Sequence, residues 1–219
     1  MTAFNFEQAR YNMIEQQIRP WEVLDQRVLD TIACVPREDF VPERYRNLAF
    51  GDVAIPIGHG EFMLKPNVEG RLLQALAVRP TDHVLEIGTG SGYLTACLAR
   101  LAASVVSVDI VPDFVEAARQ KLKTHRLSNA ALHVGDASRG WGERRYDAIA
   151  VTGSVAAVAD HWRQSLCPGG RLFVVAGQPP VMEALLITRI GEGEWLRESL
   201  FDTYLPPLRN SATAKAFVF

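Results

Sequence analysis

The sequence predicts an α/β protein: a doubly wound, Rossmann-like, mostly parallel sheet with antiparallel C-terminal strands, preceded by a helical N-terminal region. Three observations predict it. From Thr81 onward, short apolar runs alternate with amphipathic stretches of helical period, the rhythm of strand–helix–strand units. A glycine-rich turn, Gly88–Gly92, follows the first of these runs and opens the first helix, where such folds bind ligands. After Pro180 the apolar segments lie too close together for helices between them, which requires antiparallel neighbours.

The elements follow in order. Phe6, Ala9, Met13 and Ile14 share one helical face, as do Val23, Val28, Leu29 and Ile32, so residues 6–34 read as two helices. Pro20 separates them and Pro36 ends the second. Residues 35–65 carry prolines and glycines without a clear period and are predicted to be mostly irregular. A third helix runs from Pro66 to about Val78, with proline in its first turn. Strands are predicted at His83–Ile87, Ser104–Asp109, Ala130–Val134, Tyr146–Val151 and Arg171–Ala176, with helices at Gly92–Leu101, Pro112–His125 and His161–Leu166. Glu183–Ile190 and Trp195–Phe201 form a hairpin about Gly191-Glu-Gly193, and Ala214–Phe219 is a last strand. The chain divides into a helical, loop-rich lid over residues 1–65 and a ligand-binding domain over residues 66–219.

Composition narrows the function. The 219 residues are 48% hydrophobic and 22% charged, enough for one sizeable core. Lys and Arg number 23 against 25 Asp and Glu, a net charge of -2, so no basic surplus supports a dedicated nucleic-acid binder. Cys34, Cys97 and Cys167 are far apart and odd in number, which argues against a disulfide framework or a metal site. No apolar run approaches the ~18 residues of a membrane span, and residues 1–7 lack a basic or apolar leader pattern. A cytoplasmic enzyme without membrane or metal is expected.

The segment Glu86-Ile87-Gly88-Thr89-Gly90-Ser91-Gly92-Tyr93 carries the chemistry. Glycines let the backbone turn tightly and approach a ligand, and the following helix points free N–H groups at it. Asp109, followed by Ile110, ends the next strand, where a carboxylate can accept bonds from ribose hydroxyls. Asp136 and Ala137 follow the third strand on the same edge and suit an adenine amino group and ring. Tyr93 stands where a dinucleotide fingerprint needs a small residue, and Glu86 suits a cationic group better than a pyrophosphate. S-adenosylmethionine, leaving S-adenosylhomocysteine, fits both; a dinucleotide is the weaker alternative.

These residues resemble the motifs of class I S-adenosylmethionine-dependent methyltransferases. The segments Val35-Pro-Arg-Glu-Asp-Phe-Val-Pro42, Ile55-Pro-Ile-Gly58, Leu85–Tyr93, Gly135-Asp136, Tyr146–Thr152 and Cys167-Pro-Gly-Gly-Arg-Leu172 resemble, more narrowly, the protein-L-isoaspartate O-methyltransferase family. The resemblance spans about residues 10–210. It implies methyl transfer to the carboxyl of an L-isoaspartyl residue in a damaged protein or peptide, which is then repaired through a succinimide. It also places Ile57, His59, Glu61, Leu64, Lys65 and Thr152 near the acceptor. No catalytic acid or base is assigned, because a carboxylate is already deprotonated at neutral pH.

One loop departs from the family pattern. Where the family carries Gly-x-Gly-Gln-Thr-Ile-Ser-x-Pro, this chain has Gly58-His-Gly-Glu-Phe-Met-Leu-Lys-Pro66. Leu64 replaces the serine hydroxyl and Glu61 replaces the neutral glutamine. An offshoot with a different acceptor, or a cofactor-binding homologue without isoaspartyl activity, is therefore the alternative reading.

Overall fold

The computed structural model describes residues 4–211. The predicted strand at Ala214–Phe219 lies outside them. The chain starts with helix α1 (Phe6–Met13), capped by the Asn5 side chain, which accepts from the Gln8 N–H at 3.0 Å. α1 passes into a π-helical turn (Ile14–Ile18) and a 3-10 turn (Arg19–Trp21) containing Pro20, which closes with Glu22 in the left-handed region. Helix α2 (Gln26–Cys34) is capped by Asp25, and two 3-10 turns lead to a two-stranded hairpin.

That hairpin, β1 (Ile55–Gly58) and β2 (Glu61–Met63), corrects the expectation of irregular structure over residues 35–65. It is short, includes Pro56, and turns through Gly58, His59 and Gly60, all at positive φ. Local pattern is weak in so few residues, and contacts from distant parts of the chain hold it in place.

Helix α3 (Pro66–Leu76) follows, then β3 (His83–Ile87), α4 (Tyr93–Leu101), β4 (Ser104–Asp109), α5 (Pro112–Thr124) and β5 (Ala130–Val134). The chain continues through β6 (Tyr146–Val155), α6 (Asp160–Gln164), β7 (Leu166–Gln178), β8 (Val181–Gly191) and β9 (Glu194–Asp202). The seven-stranded sheet has the order β5-β4-β3-β6-β7-β8-β9. β5 to β7 are parallel, β8 runs antiparallel to β7, and β9 is antiparallel to β8. β6 to β9 extend past the predicted ends, and the antiparallel pairing of β7, β8 and β9 continues up to the turns, at Gln178 with Val181 and Gly191 with Glu194.

Strand period two sorts β3 between two cores. Val84 packs with residues of α2, α3, α4 and the N-terminal turns, from Met13 to Leu122. Leu85 and Ile87 pack on the other face with Ile149, Val151, Leu172 and Trp162 of α6. Residues from the N-terminal region therefore share one continuous core with the sheet. A β7 side chain ties the first face together: Arg171 donates from Nε to the Leu76 carbonyl at 2.8 Å, which caps α3, and from Nη2 to Asp82 at 2.5 Å.

The sheet changes winding direction at β3. The chain adds β4 and β5 on one side, then crosses to place β6 on the other. That switch point opens a crevice at the carboxyl ends of the central strands, the expected place for a ligand.

Candidate cofactor and acceptor site

The crevice is a cleft of about 740 Å³, open mouth included. Its floor comes from strand ends and the loops after them: Ile87, Gly88 and Gly90; Asp109 and Ile110; Asp136, Ala137 and Ser138; Thr152 and Gly153. Its roof comes from two distant segments, the β1–β2 hairpin (Ile57, Glu61, Phe62), with Leu64 just beyond it, and Pro206–Arg209.

The turn after β3 works through backbone geometry. Gly88 has φ +99, and a Cβ there would meet Thr152 Oγ1 at 2.1 Å. The Thr152 hydroxyl is committed to the Ile87 and Gly88 carbonyls, at 3.0 and 2.9 Å. Asp109 is buried, and both its carboxylate oxygens accept backbone N–H bonds at 2.9 Å, Oδ2 from Gly90 and Oδ1 from Val111. Burial raises its pKa, against the lowering effect of those two donors. The remaining lone pairs are available to hydroxyl donors in the cleft. Asp136 accepts from the Ser138 N–H at 2.9 Å, which holds its carboxyl below the ordinary range, and from Asn210 Nδ2 at 2.9 Å.

Some residues singled out in the sequence stand behind the cleft rather than in it. Glu86 is fully buried beneath the turn, facing α4. Thr95 and Ser107 both donate to its Oε2 at 2.5 Å, while Oε1 has no partner. Glu86 therefore offers no charge to a ligand; the carboxylates that line the cleft are those of Asp109, Asp136 and Glu61. Thr89 is buried against Ser107, Ser91 accepts from the Tyr93 N–H, and Gly92 approaches α5 so closely that a Cβ would meet that of Ala118 at 2.8 Å. Tyr93 is buried under the Arg37 guanidinium, 4.8 Å from its ring centre. These residues shape the turn.

The acceptor-side candidates also divide. Ile57, Glu61, Leu64 and Thr152 line the cleft. His59 points away, with its ring Nε2 2.9 Å from Asp113. Lys65 lines an adjoining apolar groove with Trp21, Phe62 and Tyr204, and its ammonium lies 3.7 Å from Asp52. Leu64 is positioned through its backbone, since its carbonyl accepts from buried Arg37 at 2.6 Å.

The reading by motif missed Phe114, Ser138 and the segment Pro206–Arg209. Nothing in the local sequence of that segment marks it; only its bonds to the hairpin and to Ser154 bring it over the cleft.

Burial pushes Glu86 from an ordinary 4.5 up to about 8, against its two hydroxyl donors. A neutral carboxyl costs far less to bury than a carboxylate with one bare oxygen. The folded state thus holds this proton more tightly than the unfolded chain. The contribution of Glu86 to stability is full below pH 4.5 and is lost as pH rises toward about 8. In Glu86→Gln that loss should vanish. Thermal melts of both proteins across this range should diverge with rising pH in favour of the variant; parallel curves would mean the carboxyl titrates normally.

The sheet order, the crevice at its switch point, the glycine turn and both strand-end aspartates are arranged as the resemblance to class I S-adenosylmethionine-dependent methyltransferases implies. The chain belongs to the protein-L-isoaspartate(D-aspartate) O-methyltransferase family, whose description matches residues 8–209. It is 36% identical to the protein-L-isoaspartate O-methyltransferase of Magnetococcus marinus over 203 residues, covering 92% of this chain and 89% of that one. It is 39% identical to protein-L-isoaspartate O-methyltransferase 1 of an Anaeromyxobacter species, covering 87% and 91%. In fold it is similar to a putative Plasmodium falciparum protein-L-isoaspartate O-methyltransferase solved with S-adenosyl-L-homocysteine. The TM-score there is 0.80 at 20% identity, over 95% of this chain and 100% of that one.

Proposed function

We infer that the protein transfers a methyl group from S-adenosylmethionine to the carboxyl of L-isoaspartyl residues in damaged proteins. The observation that carries this reading is one cleft where the glycine turn, Asp109 and Asp136 face a roof containing the family's acceptor loop. Asp109 would hold the ribose hydroxyls, Asp136 and Ala137 the adenine, and Ile87, Gly88 and Gly90 the backbone side of the ligand. Without side chains, the glycines leave room for that approach, and the carboxylates lining the cleft favour a cation. When bound, S-adenosylmethionine supplies an electrophilic methyl on a sulfonium.

The protein's task is alignment and water exclusion. The acceptor carboxylate needs no base, and holding the reacting atoms in line can lower a barrier by about 7–11 kcal/mol. Ile57, Phe62, Leu64 and Pro206 give that end of the cleft apolar walls. The groove with Trp21 and Tyr204 shares Phe62, Leu64 and Pro206 with the cleft and offers an acceptor chain a way in. Residues 1–65 act as the lid portion and residues 66–219 as the cofactor domain.

The partner is a protein or peptide rather than a nucleic acid, given the net charge of -2. No helix among the described residues is long and apolar enough to cross a membrane. The free cysteines Cys34, Cys97 and Cys167 fit a reducing cytoplasm. Among the described residues no cluster of His, Cys, Asp and Glu is placed to hold a metal.

A second reading, methylation of another acceptor, is favoured by Leu64, which brings no hydroxyl to the cleft. Labelled methyl transfer to an isoaspartyl peptide and its aspartyl isomer separates the two. Base-labile label on the isoaspartyl peptide alone supports repair, and none on either, with cofactor bound, overturns it. Leu64→Ser should raise the isoaspartyl rate by about tenfold, the value of one hydrogen bond to a charged acceptor. A flat or lower rate would remove the hydroxyl from consideration.

A further inference from the structure

We propose that Arg209 receives the carboxylate of the acceptor, with Glu61 as its partner while the acceptor is absent. The proposal rests on the carboxyl-methylation reading above. Among the described residues lining the cleft, Arg209 carries the one positive charge. Its Nε donates to Glu61 Oε1 at 2.7 Å and its Nη2 to the His59 carbonyl at 2.6 Å, and no described residue accepts from Nη1. The side chain is 44% exposed, so a ligand can reach those N–H groups.

The other acceptor-side candidates are engaged elsewhere or lack a donor. Leu64 has no donor, and the Thr152 proton is given to the backbone. Lys65 lines the neighbouring groove beside Asp52. A guanidinium presents a planar fork that matches a carboxylate in two parallel bonds, so Arg209 can fix orientation as well as position. Glu61 also acquires a reason. Alone at this edge, its carboxylate would repel an anionic acceptor; joined to Arg209, its charge is offset, and it occupies the guanidinium until the acceptor displaces it. The substitution at Glu61 and the cation at Arg209 thus form one unit.

The test is steady-state methyl transfer to an isoaspartyl peptide by wild type, Arg209→Gln, Arg209→Lys, Glu61→Gln and the double variant Arg209→Gln/Glu61→Gln. Calorimetric binding of S-adenosylhomocysteine is measured on each. Arg209→Gln should raise KM for the peptide roughly 10- to 100-fold, with kcat changed less and S-adenosylhomocysteine affinity unaltered. Arg209→Lys should be intermediate. Glu61→Gln should lower KM, and the double variant should recover part of the loss of Arg209→Gln, because it removes the exposed anion. An unchanged KM in Arg209→Gln overturns the proposal. So does a parallel loss of S-adenosylhomocysteine affinity, which would make the Arg209–Glu61 contact a part of the cofactor's roof. Wild type that binds S-adenosylhomocysteine but places no label on the peptide overturns the isoaspartyl reading itself, and the role of Arg209 falls with it.

Discussion

Replacing Gly88 by valine is expected to abolish cofactor binding, with calorimetric affinity for S-adenosylhomocysteine falling at least about 100-fold, or ~2.7 kcal/mol. Two independent effects combine. The residue has φ +99, where an L side chain is strained, and the first added carbon would sit 2.1 Å from Thr152 Oγ1. Thr152 cannot simply turn aside, because its hydroxyl binds the carbonyls of Ile87 and Gly88 and so closes the turn on itself. Relief of the clash alone tests this account. Gly88→Ala combined with Thr152→Ala should recover part of the affinity and leave the backbone strain, worth about 1–3 kcal/mol. Undiminished affinity in Gly88→Val would remove the glycine turn from the site.

Arg37→Ala should cause the largest loss of stability, about 3–5 kcal/mol in urea unfolding. Arg37 is fully buried, and its guanidinium joins four parts of the fold. It pairs with Glu69 of α3, donates to the Ala49 carbonyl at 2.7 Å and to the Leu64 carbonyl at 2.6 Å, and lies on the Tyr93 ring. Removing it leaves two carbonyls and the buried Glu69 carboxyl without their donor; burial already raises that carboxyl to about 7 with Arg37 beside it. Glu69→Gln in the same chain should reduce the loss most at alkaline pH, where the unpartnered Glu69 carboxyl would have to ionise in the core. The Leu64 contact makes the effect reach the site: the variant should also show a weaker acceptor KM at temperatures where it remains folded. A loss below about 1 kcal/mol would mean that this buried network contributes no more than a surface ion pair does.

Much of the sheet was legible because its signals are local. β3, β4 and β5 are short apolar runs, with proline opening α3 before β3 and α5 between β4 and β5, and their ends match the predicted ones. Asp109 and Asp136 were legible because strand ends face the ligand edge. Glu86 was not placed correctly, although strand period alone puts it on the opposite face from Ile87; its charge drew attention ahead of its position. The β1–β2 hairpin and Pro206–Arg209 were hidden for a different reason. Their conformation depends on each other and on Gly90 and Ser154, and no local pattern encodes such partners.

The roof contact between Arg209 and the hairpin spans 148 residues to Glu61 and 150 to His59. Contacts of that separation form late, after the intervening sheet has closed the loop between them. The strand ends that floor the cleft all lie before residue 154, so the cleft has its floor without Pro206–Arg209 but not that part of its roof. Cover of the cleft therefore depends on a segment that lies 148 residues along the chain from its partner in the hairpin. A chain clipped before residue 206 should bind S-adenosylhomocysteine more weakly than the intact chain in calorimetry, and equal affinity would remove this segment from the cofactor's cover.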